Sequence, residues 1–322
     1  MSPLFRRGAK PAAAAAGPPG LDKLAGDPDA RRFARELARG QWQEFHEFLA
    51  GVTDWATRHW YLHQLSDITG RPEWLDEWVA ARPDSAIPVL FRGCHGKHWA
   101  WQARGTGLAG TVRPDAWPLF HSRLVAADQD FTRAAALDPK DPCPWEMSLP
   151  VVRGLSLGQD EARRRFEEAH RRDPWNLFGC VDMIQVTAQK WGGSHEAMFE
   201  FARSASAGVA EGSSVHRVIP HAHVEKWTSL YNARAVQEAY FREPKVRSEI
   251  EAAAARSIGS PHYGGGLLSW ADRSAFAFCF HQMGAVAAAR EQLTIIGPRI
   301  TAPWTLYRDP MAQVRRARGE AR

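Results

Sequence analysis

Two histidines, His221 and His223, stand one residue apart with Glu225 following, and the pattern raises the question of a metal ion. The surrounding run IPHAHVEKWTSLYNA reads as helical after Pro220. On a helix, residues two apart point about 200° from one another, so these two rings cannot share an ion. His221 and Glu225 do share a face, but two donors fall short of a site. The HExxH pattern is absent: His195-Glu196 is followed by Ala197, Met198 and Phe199, and His46-Glu47 by Phe48, Leu49 and Ala50. Gly154-Leu155-Ser156-Leu157-Gly158 spells GxSxG, but a nucleophile elbow needs a strand-to-helix turn and this stretch lies between two helices. The run Gly264-Gly265-Gly266 lacks the Lys-Ser/Thr of a phosphate-binding loop. No catalytic residue, no metal ligand and no cofactor is therefore expected.

Two stretches qualify as binding sites. In the first, His98, Trp101, Gln102 and Arg104 follow Cys94 and His95 on one helix, and spacings of three and four bring them onto one stripe. Aromatic and Arg side chains are the usual anchors of interfaces, and the alternative is a Trp-rich packing face. In the second, Trp191-Gly192-Gly193-Ser194-His195 joins two helices, with Lys190 before it. Free amides at a helix start beside Lys190 and His195 could take an anion; the alternative is a structural turn capped by Ser194. A small-ligand or enzymatic site would require His98, Arg104, Trp191 and His195 to converge.

The elements that must carry these residues are helices. Asp27-Pro28 is a helix start and Gly40 a stop. Trp42, Phe45, Phe48 and Leu49 follow helical spacing, Thr53 is positioned to cap a third helix, and Pro72 opens a fourth. Residues 85–104 read as one longer helix despite Gly93 and Gly96, and residues 115–137 as another that stops at Asp138-Pro139. No convincing strand pattern occurs.

Three of the helices line up. Ala127, Ala162 and Ala197 are spaced by 35, as are Phe131, Phe166 and Phe201. Ala134, Ala169 and Ser204 keep the register, and Asp138-Pro139 and Asp173-Pro174 close the first two units. Small residues let two helices of a hairpin approach, Phe fills the next turn, and Pro ends the unit. A further copy is marked by Ala277, Phe280, Gly284, Ala289, Leu293 and Ile296. The pattern resembles the tetratricopeptide repeat, with its period of about 34 residues, although the first helices lack that family's W-x2-L-G-x2-Y signature. The expected fold is an all-α, α-α superhelix of such hairpins with an irregular helical N-terminal part. Residues 1–20 are expected to be a disordered leader, 21–310 a single helical repeat domain and 311–322 a basic tail. The repeats are firmest over 115–206, with degenerate copies over 27–105 and 267–297.

One further resemblance rests on QKWGGSHEAMFEFAR (189–203), AWQARGTGLAGTV (100–112), WPLFHSRLVAADQDFTRAAALDPKDPCPW and the Asp173-Pro174 closure. Together they resemble a bacterial family known as domain of unknown function 4034, which carries a P-K-W-G-G-S signature. Here Gln189 replaces the Pro. The resemblance is clearest over residues 85–205. It implies a helical repeat fold and no reaction.

Composition bounds the rest. Fourteen tryptophans point to large aromatic knobs between helices or to an aromatic-lined groove. The net charge of +5 owes much to Arg6, Arg7, Lys10, Arg315, Arg316, Arg318 and Arg322, which leaves the body near balance and speaks against nucleic acid as a partner. Arg163, Arg164 and Arg165, with Arg171 and Arg172, are interleaved with Glu161, Glu167, Glu168 and Asp173 and read as a solvated, salt-bridged face. Cys94, Cys143, Cys180 and Cys279 form no CxxC pair, which fits a reducing cytoplasm. No spanning helix is expected. The function that follows is a non-enzymatic binding module or scaffold for a protein or peptide partner. The oligomeric state is not legible.

Overall fold

The computed structural model describes residues 22–105, 107 and 109–320, and the expected leader lies outside them. All regular structure among the described residues is helical. The chain forms two compact units, Asp27–Val186 and a second that runs on from Thr187. The first contains α1 (Pro28–Leu37), α2 (Gln43–Gly51), α3 (Trp55–Leu65), α4 (Trp74–Ala81), α5 (Ala86–Arg104), α6 (Ala116–Leu137), α7 (Cys143–Leu155), α8 (Gln159–Arg172) and α9 (Leu177–Thr187, ending one residue past the boundary). The second contains α10 (His195–Ala207), α11 (Val218–Ser229), α12 (Arg234–Tyr240), α13 (Pro244–Arg256), α14 (Ser269–Gln282), α15 (Val286–Ile296) and α16 (Pro310–Arg318). Within each unit, helices adjacent in sequence pack against one another, α5 on α6, α6 on α7 and α7 on α8 in one, α14 on α15 and α15 on α16 in the other. This is the packing of an α-α superhelical fold. No helix among the described residues is long and apolar enough to cross a membrane.

Local chemistry sets the helix boundaries. The Asp27 carboxylate accepts from the Ala30 amide at 2.7 Å and starts α1. At α3 the cap is Asp54, not Thr53: its carboxylate accepts from the Thr57 amide at 2.7 Å. Asp is the better cap, and Asp54 has the extended backbone that a cap requires. Asp138 and Asp173 end α6 and α8 alike, each accepting an amide two residues on, from Lys140 at 3.2 Å and Trp175 at 3.1 Å.

The aligned residues behave differently in the three helices. Ala127, Phe131 and Ala134 of α6 and Ala162 and Ala169 of α8 are buried. In α10 the inward residues are Met198, Ala202 and Ser206, while Ala197 and Ser204 are exposed. The stripe is displaced by one residue, about 100° around the helix. Met198 has the apolar bulk that Ala197 lacks, and its burial decides the rotation. Around Gly284, α14 and α15 form the helix pair expected from Ala277, Phe280, Ala289, Leu293 and Ile296, all buried. The basic stretch at the C-terminal end is helical in part: α16 buries Val314 and Ala317, and Arg318 donates to the carbonyls of Leu293 and Gly297.

The two glycines inside α5 have a packing role. A methyl group added at Gly93 would lie 3.0 Å from the Phe131 ring of α6, and one at Gly96 3.3 Å from the Ala127 Cβ. On the same stripe of α6, a methyl at Gly154 of α7 would lie 2.4 Å from the Leu124 side chain and 2.9 Å from Phe120. α6 therefore comes close to the α5 backbone at Gly96, and its side chains press on the α7 backbone at Gly154. Gly93→Ala should lower stability by about 1–3 kcal/mol through overpacking, although Ala is the better helix former. A denaturant titration in which this variant matches or exceeds the wild type would show that α6 yields at the contact.

Candidate functional site

In the Asp27–Val186 unit the helices α3, α5 and α7 pack on one another. They bring together ionisable side chains that are distant in sequence. From α3 come Arg58, His59 and His63; from α5, Lys97 and His98; from α7, Cys143 and Glu146. Phe178 and Asp182 belong to α9.

Arg58 anchors the group. Its Nε donates to Asp141 at 3.0 Å and its Nη1 to the Leu49 carbonyl at 2.8 Å, all out of water. The other Asp141 oxygen accepts from the Cys143 amide at 2.8 Å, which fixes the first turn of α7. One turn later Glu146 meets the neighbouring residue of α3: Glu146 Oε2 and His59 Nδ1 are hydrogen-bonded at 2.5 Å. The His59 ring lies flat on Phe178, 3.9 Å between centroids and 2° between planes. Burial pushes the His59 imidazole well below its ordinary range, and the positive charge of Lys97 adds to the effect. Burial raises the Glu146 carboxyl well above its range, reinforced by Asp173, Asp141 and Asp182. The pair is thus held neutral, the form in which a buried carboxyl and imidazole are least costly.

Beside this pair, His98 Nε2 lies 3.1 Å from the His63 carbonyl, and the His63 and His98 rings are 4.6 Å apart. Burial holds the His98 imidazole well below its ordinary range, with the His63 and Lys97 charges contributing. The Asp182 carboxyl is raised by burial against the opposing pull of Arg153 and Lys97. His98 and Asp182 are half-buried.

Lys97 differs from all of them. Only 4% of it is exposed, and it makes no ion pair or hydrogen bond among the described residues. Neutral imidazoles surround it, and the carboxyl that senses its charge, Asp182, is out of ion-pair reach.

Of the residues expected from sequence on α5, His98 faces this group. Trp101 packs edge-on against Phe120 at 5.0 Å and lies under the guanidinium groups of Arg104 and Arg153. Gln102 donates to Asp67 at 2.9 Å, and Arg104 donates to the carbonyls of Gly105 and Gly107. Lys190, Trp191, Gly192, Gly193 and His195 belong to the second unit, whereas His98 and Arg104 belong to the first. There Lys190 pairs with Glu225 at 2.9 Å, Gly192 turns the chain with φ of 88°, and a Cβ at Gly193 would overlap the Thr187 carbonyl. Ser194 caps α10 through the Ala197 amide at 3.0 Å, so the segment works as a capped turn. His195 Nε2 is 3.4 Å from the Ser229 hydroxyl, and its Nδ1 is buried without a partner among the described residues. His223 bonds to Tyr240 and Glu249, and His221 does not join it. Ser156 ends α7 in a left-handed turn ahead of α8, which is not the context of a nucleophile.

Sequence reasoning missed Lys97, His59, His63, Cys143, Glu146 and Asp182. One signal was legible: Lys97 interrupts the apolar run IPVLFRGCHGKHWAW on the side that carries Gly93, Cys94 and Trp101. The others come from separate helices and have no common spacing. No family model matches the chain, and no curated protein matches it.

A histidine held neutral by burial favours the folded state only above its unfolded pKa of about 6.5. As pH falls below that value the unfolded chain takes up the proton first, and stability drops by about 1.4 kcal/mol per pH unit for each such ring. Glu146 and Asp182, raised in the fold, act in the opposite direction. The single-ring contribution is isolated by difference: denaturant unfolding of wild type and His98→Gln at pH 7 and pH 5 should show a smaller acid loss in the variant. Equal losses would mean that His98 takes up its proton without unfolding.

Proposed function

We propose that this chain is a non-enzymatic binding protein built of tetratricopeptide-like helix pairs. On this reading the polar face formed by α3, α5, α7 and α9 in the Asp27–Val186 unit takes a carboxylate of a protein or peptide partner. The supporting observation is Lys97, buried to 4% exposure without an ion pair among the described residues. An ammonium in so enclosed a position, with no partner from the protein, is well placed to give a charge-assisted hydrogen bond to a carboxylate brought against it. The raised Asp182 carboxyl is a further donor on this face, whereas the N–H of the neutral His98 ring is already given to the His63 carbonyl. The odd-numbered helices are the first members of the helix pairs, and in stacked hairpins these line the inner surface. The resemblance to family 4034 covers α5 to α10 and adds a fold without adding a reaction.

Lys97→Met tests the reading, because it keeps the length of the side chain and removes the charge. Thermal melts should show this variant at least as stable as wild type, since the uncompensated charge is gone. Affinity capture with quantitative mass spectrometry should show partners of the wild type lost from the variant. Direct anisotropy titrations with an acidic peptide from any captured protein should weaken by about tenfold or more, the scale of one lost charge-assisted bond. If the variant retains its partners, or if it is destabilised, Lys97 is a structural residue and the reading fails.

A further inference from the structure

We propose that His59, Cys143 and Glu146 form a binding site for a divalent transition-metal ion of the zinc class. This is independent of the Lys97 reading. The three ligating atoms lie within 4.8 Å of one another. All three residues are buried, Cys143 completely, Glu146 to 2% and His59 to 3% exposure. Cys143 and Glu146 are three apart at the start of α7 and so share a face, and His59 meets them from α3.

The donor set matches one class of ion. Imidazole nitrogen, thiolate sulfur and carboxylate oxygen together select a borderline metal such as zinc over calcium or magnesium, which take oxygen alone. Metal–ligand bonds of about 2.0–2.3 Å at tetrahedral angles place the donor atoms roughly 3.3–3.6 Å from one another. Here the closest pair, His59 Nδ1 and Glu146 Oε2, stands at 2.5 Å and the widest lies within 4.8 Å. Metal binding therefore opens the first pair by about 1 Å and draws the widest together by a similar amount.

The charge also balances. A divalent ion, one thiolate, one carboxylate and one neutral imidazole sum to zero, so the site adds no net charge to the interior. Binding exchanges two protons for the ion: one leaves the Cys143 thiol and the other is the proton of the His59–Glu146 hydrogen bond. Burial, with Asp141 and Glu146 beside it, holds the Cys143 thiol well above its ordinary range, so its proton leaves only against the charge of the incoming ion, as it does from a coordinating thiol. The supports around the donors are those that orient metal ligands elsewhere. Asp141 holds the Cys143 amide and is itself held by Arg58, and Phe178 fixes the plane of the His59 ring. Three protein donors leave a fourth position for water or another small ligand.

Cobalt(II) reads the site directly, because a cobalt–thiolate bond gives a near-ultraviolet charge-transfer band. The full-length protein, reduced with a phosphine to keep its thiols free, is titrated with cobalt(II). One equivalent should produce the band, and zinc(II) should displace it and raise the melting temperature. Cys143→Ser, nearly isosteric, should abolish the band, whereas Cys279→Ser on α14 should leave it intact. Glu146→Gln should keep the band and weaken cobalt binding by about tenfold or more, in line with the cost of disturbing a metal site. Circular dichroism checks that each variant is folded, and the wild-type titration stands whether or not they are. Absence of the band in wild type overturns the proposal, and so does a band that persists in folded Cys143→Ser.

Discussion

Arg58 and Asp141 stand 83 residues apart in the chain and meet with both side chains out of water. Neither would be tolerable there alone, since removing one partner of a buried pair costs about 3–5 kcal/mol. The pair fixes more than itself. The guanidinium also takes up the Leu49 carbonyl at the end of α2, and the carboxylate also takes up the Cys143 amide at the start of α7. Three helices are thereby tied at one point. His59 follows Arg58 directly, and Glu146 lies one turn beyond Cys143. The registry of the His59–Glu146 contact is consequently set by the ion pair beside it.

Close helix contacts hold the other side of the same unit. Gly96 lets the α5 and α6 backbones approach, and Gly93 and Gly154 make room for the Phe131 and Leu124 side chains of α6. The outer helices then bind through charge. Arg165 of α8 is buried and joins Glu161 to Asp128 of α6, and Arg92 of α5 joins Asp130 to Asp76. The arginine run of α8 is thus only partly the solvated face read from its composition. Arg164 and Arg171 are exposed, whereas Arg165 reaches inward and braces two helices. An alternation of signs in sequence records that pairs can form. It does not record which member turns inward.

The same division runs through everything that can be read from the sequence. Helix starts are legible because a cap needs only a few adjacent residues, as at Asp27-Pro28. Thr53 in place of Asp54 is a confusion between neighbouring oxygens. The 35-residue spacing is legible at α6 and α8, which share both their buried alanines and their Asp-Pro closures. It misleads at α10, where burial of Met198 turns the helix by one residue. The site is legible only at His98. Its other members belong to α3, α5, α7 and α9 and acquire a common environment only when those helices pack. A carboxyl and an imidazole that meet across 87 residues leave no mark in a local pattern.

Burial of charge alone does not distinguish a brace from a site, and this chain contains both. In the second unit Asp272 is completely buried, and it accepts from Arg217 at 2.8 Å, Ser214 at 2.5 Å and Tyr263 at 2.8 Å. Its oxygens are fully engaged by the protein, which ties the turn that leads into α11 to α14. Lys97 is nearly as deep, yet the charged group nearest in effect is a carboxyl whose own ionisation is disfavoured. Packing could have used a methionine of the same length there. The lysine brings to that place a positive charge that no carboxylate of the described residues meets. On the reading proposed here, that charge is met when an acidic group from outside the chain completes the set of partners, which is the difference between a residue that holds a structure together and one that waits for a ligand.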